Sequence, residues 1–126
     1  MRLVDSSAWI EVLLGSATGR TVMKHVPGKE DWLVPTLVQY EIHKWLARTV
    51  SGEAARDFIS YSSKCVVFEL TSVIAVRASE LATLHRLSTA DAIIYATAID
   101  QDADLLTCDA HFENLPHVHY LPKHSG

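Results

Sequence analysis

Cysteine is scarce, and the two that occur, Cys65 and Cys108, do not form a C-x-x-C pair of the kind that holds a metal. No glycine-rich phosphate loop and no nucleophile-elbow spacing is present, which removes a P-loop nucleotide site and leaves a serine triad without support. No apolar run reaches the roughly 20 residues of a membrane helix, and no signal peptide, repeat, low-complexity tract or interior linker is seen. Positive charge is also short. The formal net charge of -4 argues against a polycation that coats nucleic acid irrespective of sequence. It leaves open a site where carboxylates hold divalent cations, because two such ions cancel that charge.

What remains is a chain of 126 residues, read as a single, reduced, cytoplasmic domain over residues 1–126, large enough to bury about two-thirds of the surface its unfolded chain exposes. Its most unusual stretch is Leu87 to Ile99, an almost wholly apolar helix with Asp91 near its start. A helix apolar all round is a buried helix, and a carboxylate there needs a partner, since desolvating it costs roughly several kcal/mol. Ala90, Ala92, Ala96 and Ala98 let neighbouring backbones come close, so the helix is expected to lie against the sheet.

The remaining elements alternate. Arg2 to Asp5 reads as a strand followed by a helix capped by Ser6 or Ser7, and a second helix runs from near Thr18 to before Pro27. Trp32 to Val34 is a short strand; Thr36-x-x-Gln39 has capping-box spacing and opens a long helix with Val38, Ile42, Trp45 and Leu46 inward. Glu53 to Ser60 is helical, Cys65 to Phe68 a strand, and Val73 to Arg86 a helix with Ile74, Ala78, Leu81, Ala82 and Leu84 inward. After the Asp91 helix come a buried strand at Asp104 to Thr107, a helical turn at His111 to Asn114, an edge strand at Val118 to Leu121, and a frayed end from Lys123 to Gly126. The fold class is therefore α/β, with a mostly parallel sheet of four or five strands and helices on both faces.

This topology gives four acids a shared address. Asp5 and Asp109 fall at carboxyl ends of strands, where open α/β sheets place their ligands, while Glu41 and Asp91 lie near helix starts. Each has a bland reading as well: Asp5 and Asp109 as caps, Asp91 as the acid of a Ser88-x-x-Asp91 capping box, and Glu41 as solvated surface beside Leu37 and Trp45. If the four converge, they repel unless hard cations intervene, and ligands that are all oxygen select Mg²⁺ or Mn²⁺. Such a site suits metal-assisted phosphoryl transfer to water.

Asp5-Ser6-Ser7 after the first strand, Glu41 in the third helix, Ser88-x-x-Asp91-Ala92, and Leu105-Leu106-Thr107-x-Asp109-x-x-Phe112 together resemble the PIN-domain ribonucleases over nearly the whole chain. The short length is most similar to the VapC toxins of toxin-antitoxin pairs. The resemblance implies a metal-dependent endoribonuclease that uses Asp5, Glu41, Asp91 and Asp109 at a Mg²⁺ or Mn²⁺ site, is usually dimeric, and is inhibited by a small antitoxin. Ser7 and Thr107 match hydroxyl positions of that family, expected to orient the carboxylates.

Lys44, Arg48 and Arg86 are the candidate phosphate contacts for an RNA strand, against a default of solvated helix surface. Trp9, Val12 and Leu13 with Val38, Tyr40 and Trp45 carry more apolar surface than the core of so small a domain needs, which points to partner surfaces. His117-x-His119 lacks a third ligand nearby and reads as edge-strand surface. Two other functions compete: a catalytically silent interaction module, which has no reason to gather four repelling acids, and a phosphoacceptor domain, which wants paired acids after the first strand where this chain has serines.

Overall fold

The computed structural model describes residues 1–124. Five parallel strands, β1 (Arg2–Val4), β2 (Trp32–Pro35), β3 (Val66–Phe68), β4 (Asp104–Thr107) and β5 (Val118–Tyr120), form one sheet in the order β3-β2-β1-β4-β5. The six α-helices are α1 (Ser6–Leu14), α2 (Ala17–Met23), α3 (Thr36–Thr49), α4 (Gly52–Ser62), α5 (Ser72–His85) and α6 (Thr89–Asp100). Right-handed crossovers carry the chain from β1 outward to β3 with α1 to α4 on one face. The return across β1 to β4 then places α5 and α6 on the other. The chain changes direction between β1 and β4, which makes the crevice above their carboxyl ends the switch point of the sheet.

Short, fully buried strands explain the continuous apolar runs. Leu3, Val4, Leu33, Val34, Leu105 and Leu106 have no exposed surface, as expected of parallel strands covered on both faces. In α6, Ala92 and Ala96 meet Ile74 and Ala78 of α5 in a seam of mostly small side chains. The two helices are joined by a tight turn in which Arg86 takes a left-handed conformation (φ 56°) and Ser88 caps α6. Tyr95 anchors α6 to the chain beyond β4: its hydroxyl donates to the Pro116 carbonyl at 2.8 Å and its ring packs near Phe112. That anchor holds the start of α6 and the end of β4 in one place. Among the described residues no helix is long and apolar enough to cross a membrane.

Several local expectations are corrected. Asp5, and neither serine after it, caps α1. The Thr36-x-x-Gln39 capping box is not formed, because Pro35 at the N-cap offers no side-chain acceptor and Gln39 turns away to donate to Ser62 Oγ. Leu84 is exposed, since it falls on the face of α5 turned away from α6. Val38 is buried in the core and offers no partner surface. His124 N donates to Thr18 Oγ1 at 2.8 Å, so the segment from Lys123 is held as far as His124; the rest of the expected frayed end, residues 125–126, lies outside the described residues.

α1 and α2 touch through Gly19. A Cβ there would lie 2.1 Å from the Glu11 carbonyl oxygen, in backbone that has no room to give. In an open helix Gly→Ala gains roughly 0.5–1 kcal/mol. Here Gly19→Ala is expected to lose about 1–3 kcal/mol through overpacking, read as a lower urea midpoint. A variant as stable as wild type would mean that the two helices are not in contact at this point.

Candidate active site

Asp5 follows β1 directly, and its backbone N–H continues the ladder to the Leu106 carbonyl of β4. Its carboxylate is buried and fully engaged. Oδ1 accepts from Ser6 N at 2.7 Å, while Oδ2 accepts from Thr107 Oγ1 at 2.7 Å and from Ser7 Oγ at 2.9 Å. Each hydroxyl is in turn held by backbone from the β4 end: Cys108 N donates to Ser7 Oγ at 3.0 Å and Asp109 N to Thr107 Oγ1 at 2.9 Å. Each hydroxyl thus accepts one backbone N–H and donates to Asp5 Oδ2, and the two lie 3.2 Å apart, an arrangement that fixes the carboxylate's orientation.

The other acids gather around this pair of strand ends. Ser6 Oγ donates to Glu41 Oε1 at 2.7 Å, so the residue that caps onto Asp5 also ties the third helix to the crevice. Asp91, half-buried on the first turn of α6, and Asp109 after β4 face a common imidazole: His111 Nδ1 lies 3.3 Å from Asp91 Oδ2 and 3.3 Å from Asp109 Oδ1. Asp91, Asp109 and His111 each turn one ligand atom inward, all within 4.8 Å of one another. Asp5 Oδ1 and Asp109 Oδ1 also cap the turns that follow them, whereas at α6 the Ser88 hydroxyl caps Asp91 N at 3.3 Å and no return bond from Ser88 N to the Asp91 carboxylate closes a capping box. For Asp5 and Asp109 capping and convergence are compatible, since the cap uses one oxygen of each carboxylate.

Electrostatics mark the crevice as unsatisfied. Burial pushes the Asp5 carboxyl up to about 6 against the pull of its three donors, and the nearby charge of Asp91 adds to the rise. Asp91 is raised by burial first and by Asp109 second, with His111 and Ser88 opposing. The donor set fits a divalent cation: carboxylate oxygens close enough to repel, and an imidazole that is 76% exposed and free to swing aside or to join them.

His111 was not among the sequence candidates. An exposed histidine two residues beyond an acid carries no pattern of its own, and only the short 3-10 turn Ala110–Phe112, pinned by fully buried Phe112, aims it back. Ser6 was expected only as a cap, and its bond to Glu41 depends on a helix 35 positions away. Lys44, Arg48 and Arg86 are exposed; the Lys44 ammonium lies 5.8 Å over the Tyr40 ring, while Arg86 sits in the turn that leads to Asp91.

The frame is therefore a five-stranded parallel sheet with a carboxylate-lined crevice at its switch point. Residues 2–118 match the PIN domain family, and the chain belongs to it. Solved structures agree on the fold. A toxin-antitoxin complex from Klebsiella pneumoniae is similar with a TM-score of 0.81 and 21% identity, over 94% of this chain and 96% of that one. VapC20 of Mycobacterium tuberculosis, a sarcin-ricin loop cleaving toxin, gives 0.74 and 21% over 92% and 95%. VapBC2 of Rickettsia felis, bound to a DNA fragment from its promoter, gives 0.74 and 12% over 98% of both chains. No curated protein sequence matches the chain.

The raised Asp5 carboxyl makes stability depend on pH. The folded chain keeps this proton up to about pH 6 and the unfolded chain to 3.8, so the contribution is fully present below 3.8 and lost as pH rises through about 6. Asp5→Asn cannot titrate. In EDTA its urea-derived stability relative to wild type is expected to rise between pH 4 and pH 7, by up to about 3 kcal/mol. Parallel pH profiles for the two proteins would show that the carboxylate is not desolvated.

Proposed function

We propose that this chain is a metal-dependent endoribonuclease, the toxin of a toxin-antitoxin pair, acting in the cytoplasm. The observation that carries the reading is the convergence of Asp5, Asp91 and Asp109 at the switch point of the sheet, with Glu41 tied to the same crevice through Ser6. Asp5, Asp91 and Asp109, with Glu41 beside them, would hold Mg²⁺ or Mn²⁺, and such an ion supplies Lewis-acid polarisation of a phosphodiester and of water. Ser7 and Thr107 keep the Asp5 carboxylate in one orientation. RNA as the substrate is supported by the VapC20 likeness, since that protein cleaves the sarcin-ricin loop.

A protein partner is supported by a groove of about 510 Å³ between α1 and α4, lined by Trp9, Val12, Leu13, Leu46, Phe58 and Tyr61 among others. Trp9 and Trp32 stack there with ring centroids 4.7 Å apart, and both indole N–H groups are buried without an acceptor. A partner that lays apolar side chains into the groove covers that surface. The antitoxin-bearing neighbours support an antitoxin in this role, and a homodimer uses a different helical face.

Purified protein is expected to cut RNA with Mg²⁺ or Mn²⁺ and not in EDTA. Attack by water in place of the ribose 2′-hydroxyl leaves 5′-phosphate and 3′-hydroxyl ends. Asp5→Asn and Asp91→Asn should each remove most of the rate. Cleavage that survives EDTA, or 2′,3′-cyclic phosphate ends, would sink the proposal. A second measurement is independent of activity. Asp91→Asn relieves repulsion and is expected to be at least as stable as wild type in EDTA, while Mg²⁺ raises the urea midpoint of wild type much more than that of the variant. Equal Mg²⁺ stabilisation of both would return Asp91 to a capping role.

A further inference from the structure

Next to the acids the same sheet edge opens into a second cleft of about 480 Å³, whose walls include Ser7, Cys108, Asp109, Tyr120 and Lys123. Its size is within the roughly 300–1,000 Å³ of small-ligand sites. Ser7 and Asp109 belong to both spaces, so whatever enters the cleft lies against the acidic crevice. Its far wall differs in character. Lys123 is a cation, Tyr120 presents a half-buried aromatic ring, and Cys108 is a neutral floor because burial pushes its thiol up to about 11.

The tail that carries Lys123 is tied down on both sides. Leu121 N donates to the Thr107 carbonyl at 2.8 Å, and His124 N to Thr18 Oγ1 at 2.8 Å. Lys123 is thereby held at a set offset from Thr107, the residue that orients Asp5. Among the described residues no carboxylate forms an ion pair with it. An acidic crevice repels a polyanion wherever cations do not intervene, so an RNA strand needs a positive contact placed beside the acids. Lys44, Arg48 and Arg86 do not line this cleft.

We infer that the cleft seats the nucleotide flanking the scissile phosphate, with its base against Tyr120 and its phosphate on Lys123. The inference rests on the ribonuclease reading above. Stacking on an aromatic ring tolerates any base and a lysine reads only charge, so the cleft positions the strand and does not select sequence.

The test uses the full chain and a short single-stranded RNA of mixed sequence labelled with fluorescein, followed both for cleavage with Mg²⁺ and for binding by anisotropy. Lys123→Ala is expected to raise KM roughly tenfold with kcat changed less than about threefold, since it removes a binding contact. It should also reduce the slope of log affinity against log salt by about 0.7, the loss of one single-strand phosphate contact. Lys123→Arg rescues both. Tyr120→Leu raises KM without changing the salt slope, and Tyr120→Phe rescues it. A residue that only stabilised the tail would leave the salt slope unmoved. Unchanged KM and unchanged slope in Lys123→Ala overturn the inference while the nuclease reading stands. Wild type that binds RNA through Lys123 without cutting it overturns the nuclease reading and supports the cleft. Wild type that neither binds nor cuts overturns both.

Discussion

A buried carboxylate at the junction of β1 and β4 sets the terms for the rest of this structure. Asp5 accepts three hydrogen bonds from two strand ends that are far apart in sequence, and the two hydroxyl donors among them are themselves fixed by backbone from Cys108 and Asp109. The network therefore locks the register of β1 against β4 at the point where the strand order reverses. It also decides where the helices start: α1 begins on the Asp5 cap, and the turn after β4 begins on Asp109. Removing the charge frees a desolvation cost, but it also loosens the two hydroxyls that depend on it.

Much of this was legible in the chain, for a physical reason in each case. The strands read correctly because parallel strands covered on both faces must be short continuous apolar runs, and Val4-Asp5 and Leu106-Thr107-Cys108-Asp109 each end such a run on an acid. α6 read correctly because a helix without a polar face has to be enclosed. Glu41 stood out because no cap explains an acid one turn inside a helix. The failures share a different cause. The Thr36-x-x-Gln39 spacing satisfied the pattern of a capping box, but β2 runs straight into α3 through Pro35, so Thr36 is already the first helical residue and Gln39 serves Ser62 instead. His111, Ser6 and Lys123 owe their places to contacts across the fold. Spacing along one element says nothing about such contacts.

Electrostatics divide the sheet into two unlike edges. At the amino edge, where β1 and β4 begin, Arg2 meets Asp104 with its guanidinium nitrogens 2.7 to 3.2 Å from the carboxylate, and the Arg2 bonds hold the Asp104 carboxyl below its usual range. Above the carboxyl edge of the same two strands, Asp5 is pushed up by burial and then by Asp91, and Asp91 by burial and then by Asp109. The two strands thus have one paired acid at their start, and at their end Asp5 and Asp109 face Asp91 of α6 with no lysine or arginine paired to any of the three among the described residues.

That contrast bears on why the acids are there at all. If burial of Asp5, Asp91 and Asp109 served only to cap helices and turns, Asn or Ser would cap as well without like-charge repulsion. The Arg2–Asp104 pair demonstrates that this sheet can accommodate a fully matched acid where one is structural. Near the crevice the fold places His111, an exposed imidazole, and beyond it Lys123 on a tied tail, instead of an arginine fixed between the carboxylates. Among the described residues no lysine or arginine forms an ion pair with Asp5, Asp91 or Asp109, and that unmatched charge is what favours the proposed cation site over capping alone. Real proteins break local rules at functional sites and hold the rest of the fold consistent around them. In this chain the breaks fall at two places, the acids of the switch point and the unpaired indole N–H groups of Trp9 and Trp32 in the groove between α1 and α4, while the paired amino edge and the enclosed helix α6 keep to the rules around them.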